Sequence, residues 1–186
     1  MSTTASSVGA ATTWKIDPVH SVAEFRVKHM MISNVRGQFT GVTGSLTYDP
    51  ADLRNSHVEA SVDVASINTH DAQRDGHLKG PDFFEADKFP ALTFRSTRVT
   101  RRADGELLVA GPLTIHGATQ EVEFAVEGPT PPTKDPWGNT RIGLTATTKI
   151  DRRDFGLTFN AALETGGVLV GEQVAITLEL EFVEQA

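Results

Sequence analysis

The chain has 186 residues, a length that suits one domain with a sizeable hydrophobic core. The 24 acidic residues outnumber the 17 basic ones, and the formal net charge of −7 argues against bulk affinity for nucleic acid or an anionic membrane, although a local basic site stays open. There are no cysteines, so thiol catalysis, cysteine-based zinc sites, iron–sulfur clusters and disulfide frameworks are excluded.

Residues 1–13, MSTTASSVGAATT, are small and polar, and we expect them to form a disordered tail ahead of a single domain at 14–186. They have neither the basic start nor the apolar core of a secretory signal. No run of 18 apolar residues follows that could form a transmembrane helix. These observations favour a soluble cytoplasmic protein, or a periplasmic or secreted one if an export signal has been trimmed.

From Trp14 onward, apolar and polar residues alternate, which predicts half-buried β-strands. In three of these strands the inward face carries candidate ligand contacts: Phe25, Val27 and His29 in the first, Val62 in the second and Phe94 in the third. The clearest runs are SVAEFRVKHM, HVEASVDVAS, ALTFRS, EVEFAVEG and QVAITLELEF, in chain order. The runs VRGQFTG, GSLTYDP, ELLVAGPLTIHG and RIGLTATTKI predict shorter or more irregular strands. At least eight strands are therefore expected.

One segment interrupts the alternation. The stretch NTHDAQRDGHLKG at 68–80 predicts a short helix, which Asn68 or Thr69 would cap and Gly80-Pro81 would end. Phe83, Phe84 and Phe89 follow in an irregular stretch. Because aromatic side chains in a loop need a surface to bury against, we expect this segment to cover one end of the β structure.

Eight or more antiparallel strands can protect their edges by pairing two sheets or by closing into a barrel. Pro112 after Gly111 marks an edge, a bulge or a corner of that structure. Several residues assigned to the inward faces are unusually small, and they favour an occupied cavity over a filled core. These are Ala23, Gly37, Ala60, Gly143 and Ala146.

Four blocks of the chain resemble the YceI-like family. They are WKIDPVHSVAEFRVKHMMISNVRGQF at 14–39, HLKGPDFFEADKFPALTFRST at 77–97, GPLTIHGATQEVEF at 111–124 and IDRRDFGL at 150–157. The resemblance covers residues 14–184. It implies an all-β fold, an eight-stranded antiparallel lipocalin-like barrel with a short helical lid segment, that binds a polyisoprenoid or related lipid in its interior. It implies no known catalytic residues.

Polar groups on the inward faces are candidates for contact with a ligand head group. His29 follows Phe25 and Val27 on one face, where it is either a core histidine with a partner or a donor to the ligand. Arg74 shares a predicted helix face with His70 and His77, and this face either is solvated or binds an anionic head group. The residues expected to bind the ligand are Phe25, Val27, His29, Val62, Arg74, His77, Phe84 and Phe94.

We expect no metal and no cofactor. His70 and His77 would lie about 10 Å apart on a helix, too far for one zinc ion. The charged run Asp151–Asp154 predicts structural ion pairs at a strand end. Its two arginines would keep both carboxylates ionised, which argues against a carboxylate pair for acid catalysis.

The favoured function is therefore non-enzymatic binding or transport of a long-chain apolar ligand, which could be a polyisoprenoid, an isoprenoid quinone or a fatty-acid-like lipid. Two alternatives stay open: an enzyme or isomerase acting on a small apolar substrate in the same cavity, and an interaction module with a solid core. A homodimer is expected over a monomer, since two-fold dimers dominate soluble oligomers.

Overall fold

The computed structural model describes residues 10–186, and β-strands dominate it. All strands of this part of the chain belong to one antiparallel sheet. They are β1 (Thr12–Ile16), β2 (Val22–His29), β3 (Ser33–Phe39), β4 (Val42–Tyr48), β5 (His57–Asp63), β6 (Ile67–Asn68), β7 (Ala91–Arg95), β8 (Arg98–Arg101), β9 (Leu107–Ile115), β10 (Ala118–Glu127), β11 (Thr133–Lys134), β12 (Thr140–Asp151) and β13 (Val170–Glu184).

Helical structure is sparse in the same residues. It comprises one α-helix, α1 (Ala72–Lys79), and the 3₁₀ turns Leu53–Asn55, Val64–Ser66 and Arg152–Phe155. None of these helices is long and apolar enough to cross a bilayer. Strand β1 begins at Thr12, so the last two residues of the expected tail pair within the sheet, whereas residues 1–9 lie outside the described part of the chain.

The sheet closes into an eight-stranded barrel, as the sequence predicts. Strands β1 and β2 both pair with β13 and lie end to end along it, so together they form one long kinked strand. Three further pairs also lie end to end and each forms one long strand. They are β3–β4, which pairs with β2 and β1, β5–β6, which pairs with β4 and β3, and β7–β8, which pairs with β9. With β9, β10, β12 and β13 these make eight, and the pairing of β12 with β13 closes the ring.

The predicted alternation holds along most strands. On β2, Phe25, Val27 and His29 face the interior while Arg26 between them is exposed. One assignment was wrong: Gly143 faces outward, because its neighbours Ile142 and Leu144 take the inward positions of β12. The run RIGLTATTKI, for which the sequence predicts a shorter or more irregular strand, belongs to the regular 12-residue strand β12.

Pro112 lies at a corner inside the sheet. Strand β9 pairs with β10 on one side, and on the other it changes partner from β8 to β7 around Gly111. A side chain at Gly111 would meet the Arg95 carbonyl oxygen at 2.1 Å, so only glycine permits this close approach. Both sides of β9 are paired, and Pro112 therefore exposes no sheet edge that would explain a homodimer, which stays a prediction.

Helix α1 begins later than the sequence predicts. Its cap is Asp71, whose side chain accepts a hydrogen bond from the Arg74 backbone N–H at 2.9 Å. Asn68 cannot cap it because Ile67 and Asn68 pair with Phe39 and Gln38 as a strand. The helix ends at Gly80, as predicted.

The interior side chains form two clusters instead of one continuous core. One contains Trp14, Phe39 and Phe182, and the other contains Phe124 and Phe155. Only partly buried residues, Phe84, Leu92, Leu144 and Leu178, contact both clusters. These four residues therefore connect the two clusters across the barrel interior.

Candidate functional site: an apolar cavity

The barrel encloses a cavity of about 460 Å³, and each of the eight barrel strands contributes residues to its lining. Here the end-to-end pairs β1–β2, β3–β4, β5–β6 and β7–β8 each count as one strand. Its wall is mostly aliphatic and aromatic, with residues such as Leu46, Val126, Leu178 and Phe182. A volume of 300–1,000 Å³ with few polar groups is typical of small-molecule sites. Of the small residues assigned to the inward faces, Ala23, Ala60 and Ala146 line this cavity, and its occupation by a ligand stays a prediction.

All the residues expected to bind a ligand line this cavity. Strand β2 contributes Phe25, Val27 and His29, β5 contributes Val62 and β7 contributes Phe94. Arg74 and His77 come from α1, and Phe84 comes from the segment that follows it. The structure therefore brings these eight side chains to one site, and their contact with a ligand stays a prediction.

Helix α1 and the segment 81–90 cover one end of the barrel, which we call the helix end; it also carries the β2–β3 turn at 30–32 and the segment 157–169. The Phe84 ring lies 5.7 Å from the Phe39 ring, edge to face. His77 contacts both Phe83 and Phe159 at 5.1 Å between ring centres. Phe89 differs from its neighbours because it packs on His116, away from the cavity.

The polar groups of α1 are already engaged in local contacts. Arg74 donates hydrogen bonds to the Thr69 hydroxyl and carbonyl oxygens, each at 2.8 Å. His77 Nε2 lies 2.9 Å from an Asp82 carboxylate oxygen. The shared face of His70, Arg74 and His77 was a wrong prediction, because His70 precedes the Asp71 cap and lies outside the cavity.

His29 lies at the helix end of β2 and is half-buried. Within the described residues, no hydrogen bond to its imidazole ring is formed, in contrast to the engaged groups of α1. A ring at an apolar cavity wall with both nitrogens open can donate to, or accept from, a polar group of a ligand.

Arg152 has a different environment from the one that its sequence context predicts. It is only 4% exposed, and its guanidinium donates to the carbonyl oxygens of Gly171, Leu157 and Val170 instead of forming an ion pair. It also lines the cavity. Burial lowers the pKa of its guanidinium from the usual value. Its neighbour Arg153 forms the expected ion pairs, with Asp151 and Glu172.

Asp17, His20 and Glu181 form a group on the outer surface whose side-chain ligand atoms lie within 4.8 Å of one another. On spacing alone, these three ligand atoms could hold a metal ion. However, Arg141 Nη1 lies 2.6 Å from carboxylate oxygens of both Asp17 and Glu181, and Arg141 Nε lies 2.7 Å from Asp135. The guanidinium supplies the positive charge, so we interpret the group as an ion-pair network that joins β12 and β13 to the β1–β2 connection and the β11–β12 turn.

This network predicts a pH dependence of stability. The hydrogen bond from Arg141 lowers the Asp17 pKa from 3.8 to about 2 and lowers the Asp135 pKa as well. A carboxylate with a lowered pKa in the folded state stabilises the fold above its ordinary pKa, and this stabilisation is lost as the pH falls towards the lowered value. We expect the free energy of unfolding, measured by chemical denaturation, to decrease between about pH 4 and pH 2.

The decrease is expected to be shallower in Arg141→Gln, because neither carboxylate then keeps its strong donor. Arg98→Gln is the control, since Arg98 forms only a long, exposed ion pair with Glu123. An acid slope in Arg141→Gln as steep as in the unmodified protein would contradict the assignment.

Comparison with known proteins gives consistent matches along the chain. The model of the YceI-like domain family matches residues 14–182. A UPF0312 protein of Staphylococcus aureus is 38% identical over 172 residues, which cover 92% of this chain and 97% of that protein. The crystal structure of a Campylobacter jejuni YceI protein superposes with a TM-score of 0.70 at 29% identity, over 86% of this chain and 90% of the other.

A more distant structure has the same fold. It is a polyisoprenoid-binding domain from Saccharophagus degradans, implicated in plant cell wall breakdown, with a TM-score of 0.65 and 16% identity over 94% of this chain and 99% of that chain. At this identity the match shows the fold alone.

Proposed function

The chain belongs to the YceI-like family, and from that premise we propose that it binds one long-chain apolar molecule inside its barrel and carries or sequesters it without changing it chemically. The observation that carries this proposal is the apolar cavity of about 460 Å³ inside a closed eight-stranded barrel. A barrel of eight strands is either just filled by its side chains or holds one small ligand, and a cavity of this size favours the second case.

The driving force would be the removal of apolar surface from water, about 25 cal/mol per Å² before the cost of association. This term has no direction, so it accepts a polyisoprenoid, an isoprenoid quinone or a fatty-acid-like chain equally. The similarity in fold to a polyisoprenoid-binding domain supports the first of these as the initial candidate. His29 and Arg74 are the polar groups that we expect near the head of the ligand.

The direct test is native mass spectrometry of the purified full chain, followed by organic extraction and identification of the released molecule. We expect an adduct of one long-chain lipid per chain, and restoration of that adduct when the extracted protein is incubated with the same lipid. A quinone would be recognised by its ultraviolet absorption. The proposal fails if the protein carries no lipid and neither a polyisoprenol nor a fatty acid binds to it.

The alternative functions predict different outcomes of that experiment. An isomerase or other enzyme would release a mixture of substrate and product, and turnover would depend on pH through its catalytic groups. A module with a solid core would bind nothing, but a cavity of this size does not favour it. A cytoplasmic location and a homodimer stay predictions.

A further inference from the structure

An apolar tip projects from the helix end of the barrel. The turn between β2 and β3 exposes Met30, Met31 and Ile32, whose exposed fractions are 41%, 55% and 80%. Met30 and Met31 both have positive φ, 51° and 62°, a conformation that turns of this kind normally give to asparagine or glycine. Large apolar side chains are thus held in water on a backbone that does not favour them, and this combination points to a partner surface.

The outer face of the same hairpin is basic. Arg26 on β2 lies directly opposite Arg36 on β3, and Lys28 is the next outward residue of β2. All three are exposed, and none of them forms a salt bridge within residues 10–186. Like charges opposite each other destabilise a strand pair. The chain as a whole has a net charge of −7, so its overall composition does not account for this local excess of positive charge.

The tip also lies beside the cavity. His29, immediately before the turn, lines the cavity together with Leu169 and Val170 of the facing segment. The Met30 N–H donates to the Leu169 carbonyl oxygen at 2.8 Å, so the turn is tied to that segment. The acidic residues nearest along these elements are Glu24 on β2, Glu164 in the facing loop and Glu172 on β13, and Glu172 is already paired with Arg153.

We propose that the β2–β3 hairpin docks the helix end onto an anionic lipid bilayer. Met30, Met31 and Ile32 enter the interface between head groups and acyl chains, while Arg26, Lys28 and Arg36 contact lipid phosphates. A bilayer is the occupant that fits both features, because apolar side chains next to unpaired cations match its apolar interior and its anionic surface. The inference rests on the proposed function in one respect: it assumes that an apolar ligand enters and leaves the barrel through the helix end.

The test is co-sedimentation of the full chain with vesicles of phosphatidylcholine containing phosphatidylglycerol, and with vesicles of phosphatidylcholine alone. We expect binding to the anionic vesicles that weakens as salt is added, and little binding to the neutral ones. Met31→Ser/Ile32→Ser and Arg26→Gln/Arg36→Gln should each reduce the affinity for anionic vesicles at least tenfold.

Matched controls separate a specific surface from general stickiness and charge. Trp137→Ser removes an equally exposed apolar side chain outside the helix end, and Arg98→Gln/Arg101→Gln removes two exposed charges from β8. Both controls should bind like the unmodified protein. The inference is overturned if the unmodified protein does not bind anionic vesicles, or if the hairpin variants and the controls behave alike.

Native mass spectrometry of the same samples distinguishes the two proposals. Hairpin variants that keep their lipid adduct but lose vesicle binding support docking as a separate property of the surface. Vesicle binding by a protein that never carries a lipid would refute the proposed function and leave the docking surface standing. A lipid adduct without any vesicle binding would support the proposed function and refute the docking surface.

Discussion

Replacing Arg152 by methionine is expected to lower the free energy of unfolding by about 3 kcal/mol, because buried carbonyl groups then lose their donor. The Arg152 guanidinium is the donor to the Leu157 and Gly171 carbonyl oxygens, whereas the Val170 carbonyl keeps a second donor in Asn160. A buried polar group without a partner costs about 1–3 kcal/mol, so two such carbonyls cost about 2–6 kcal/mol. The expected loss lies near the lower end of this range, because the substitution also removes the cost of burying the guanidinium charge. Equilibrium denaturation in urea measures the effect.

The neighbouring residue provides a matched control. Arg153 has the same side chain one position further along, but it is 50% exposed and its partners are the carboxylates of Asp151 and Glu172. Surface ion pairs contribute little to stability, so Arg153→Met should leave the unfolding midpoint nearly unchanged. Equal losses in the two variants would mean that burial of Arg152 does not matter to the fold.

The contrast between these two arginines shows what the sequence could and could not predict. Alternation along β12 places Leu144, Ala146 and Ile150 inward, and the same parity continues to Arg152. The charged run DRRD by itself predicts ion pairs for both arginines, because each arginine has an aspartate next to it in the sequence. Following the alternation through the end of the strand would have placed Arg152 inside.

Local patterns predicted the strands well because burial of one face repeats every second residue. Features that depend on contacts with residues far away in the sequence could not be predicted from local patterns. Asn68 is an acceptable helix cap by residue type, yet its pairing with Gln38, 30 positions earlier, makes it part of a strand and leaves the cap to Asp71. The contact of Phe159 with His77 at the helix end joins segments that no local pattern connects.

The site was predictable in kind, as an apolar interior, but not in volume. Inward residues can be counted from the sequence, whereas the space between them depends on how the closed barrel spaces its walls. Gly37 illustrates the difference: it is small and inward, but the Phe25 ring lies across it, so it adds no space to the cavity. Ala60 is equally inward and does border the cavity.

Ala60 therefore provides the strongest test of where the ligand lies. Ala60→Phe should place a ring inside the cavity, and each ligand methylene that the ring displaces removes about 0.8 kcal/mol of binding free energy. Displacement of three methylenes would weaken binding about 50-fold. The variant should still fold, because its ring enters a cavity of about 460 Å³ instead of a packed core.

A graded series makes this prediction sharper than a single variant. Valine, leucine and phenylalanine at position 60 should reduce the affinity in that order, measured by titration of extracted protein with a polyisoprenol or a fatty acid. The loss should be larger for longer chains, because they need more of the cavity. Ser61→Phe adds the same ring to the next residue of β5, whose side chain faces outward, and should bind like the unmodified protein. If Ala60→Phe folds and keeps full affinity for long chains, the ligand does not occupy the barrel.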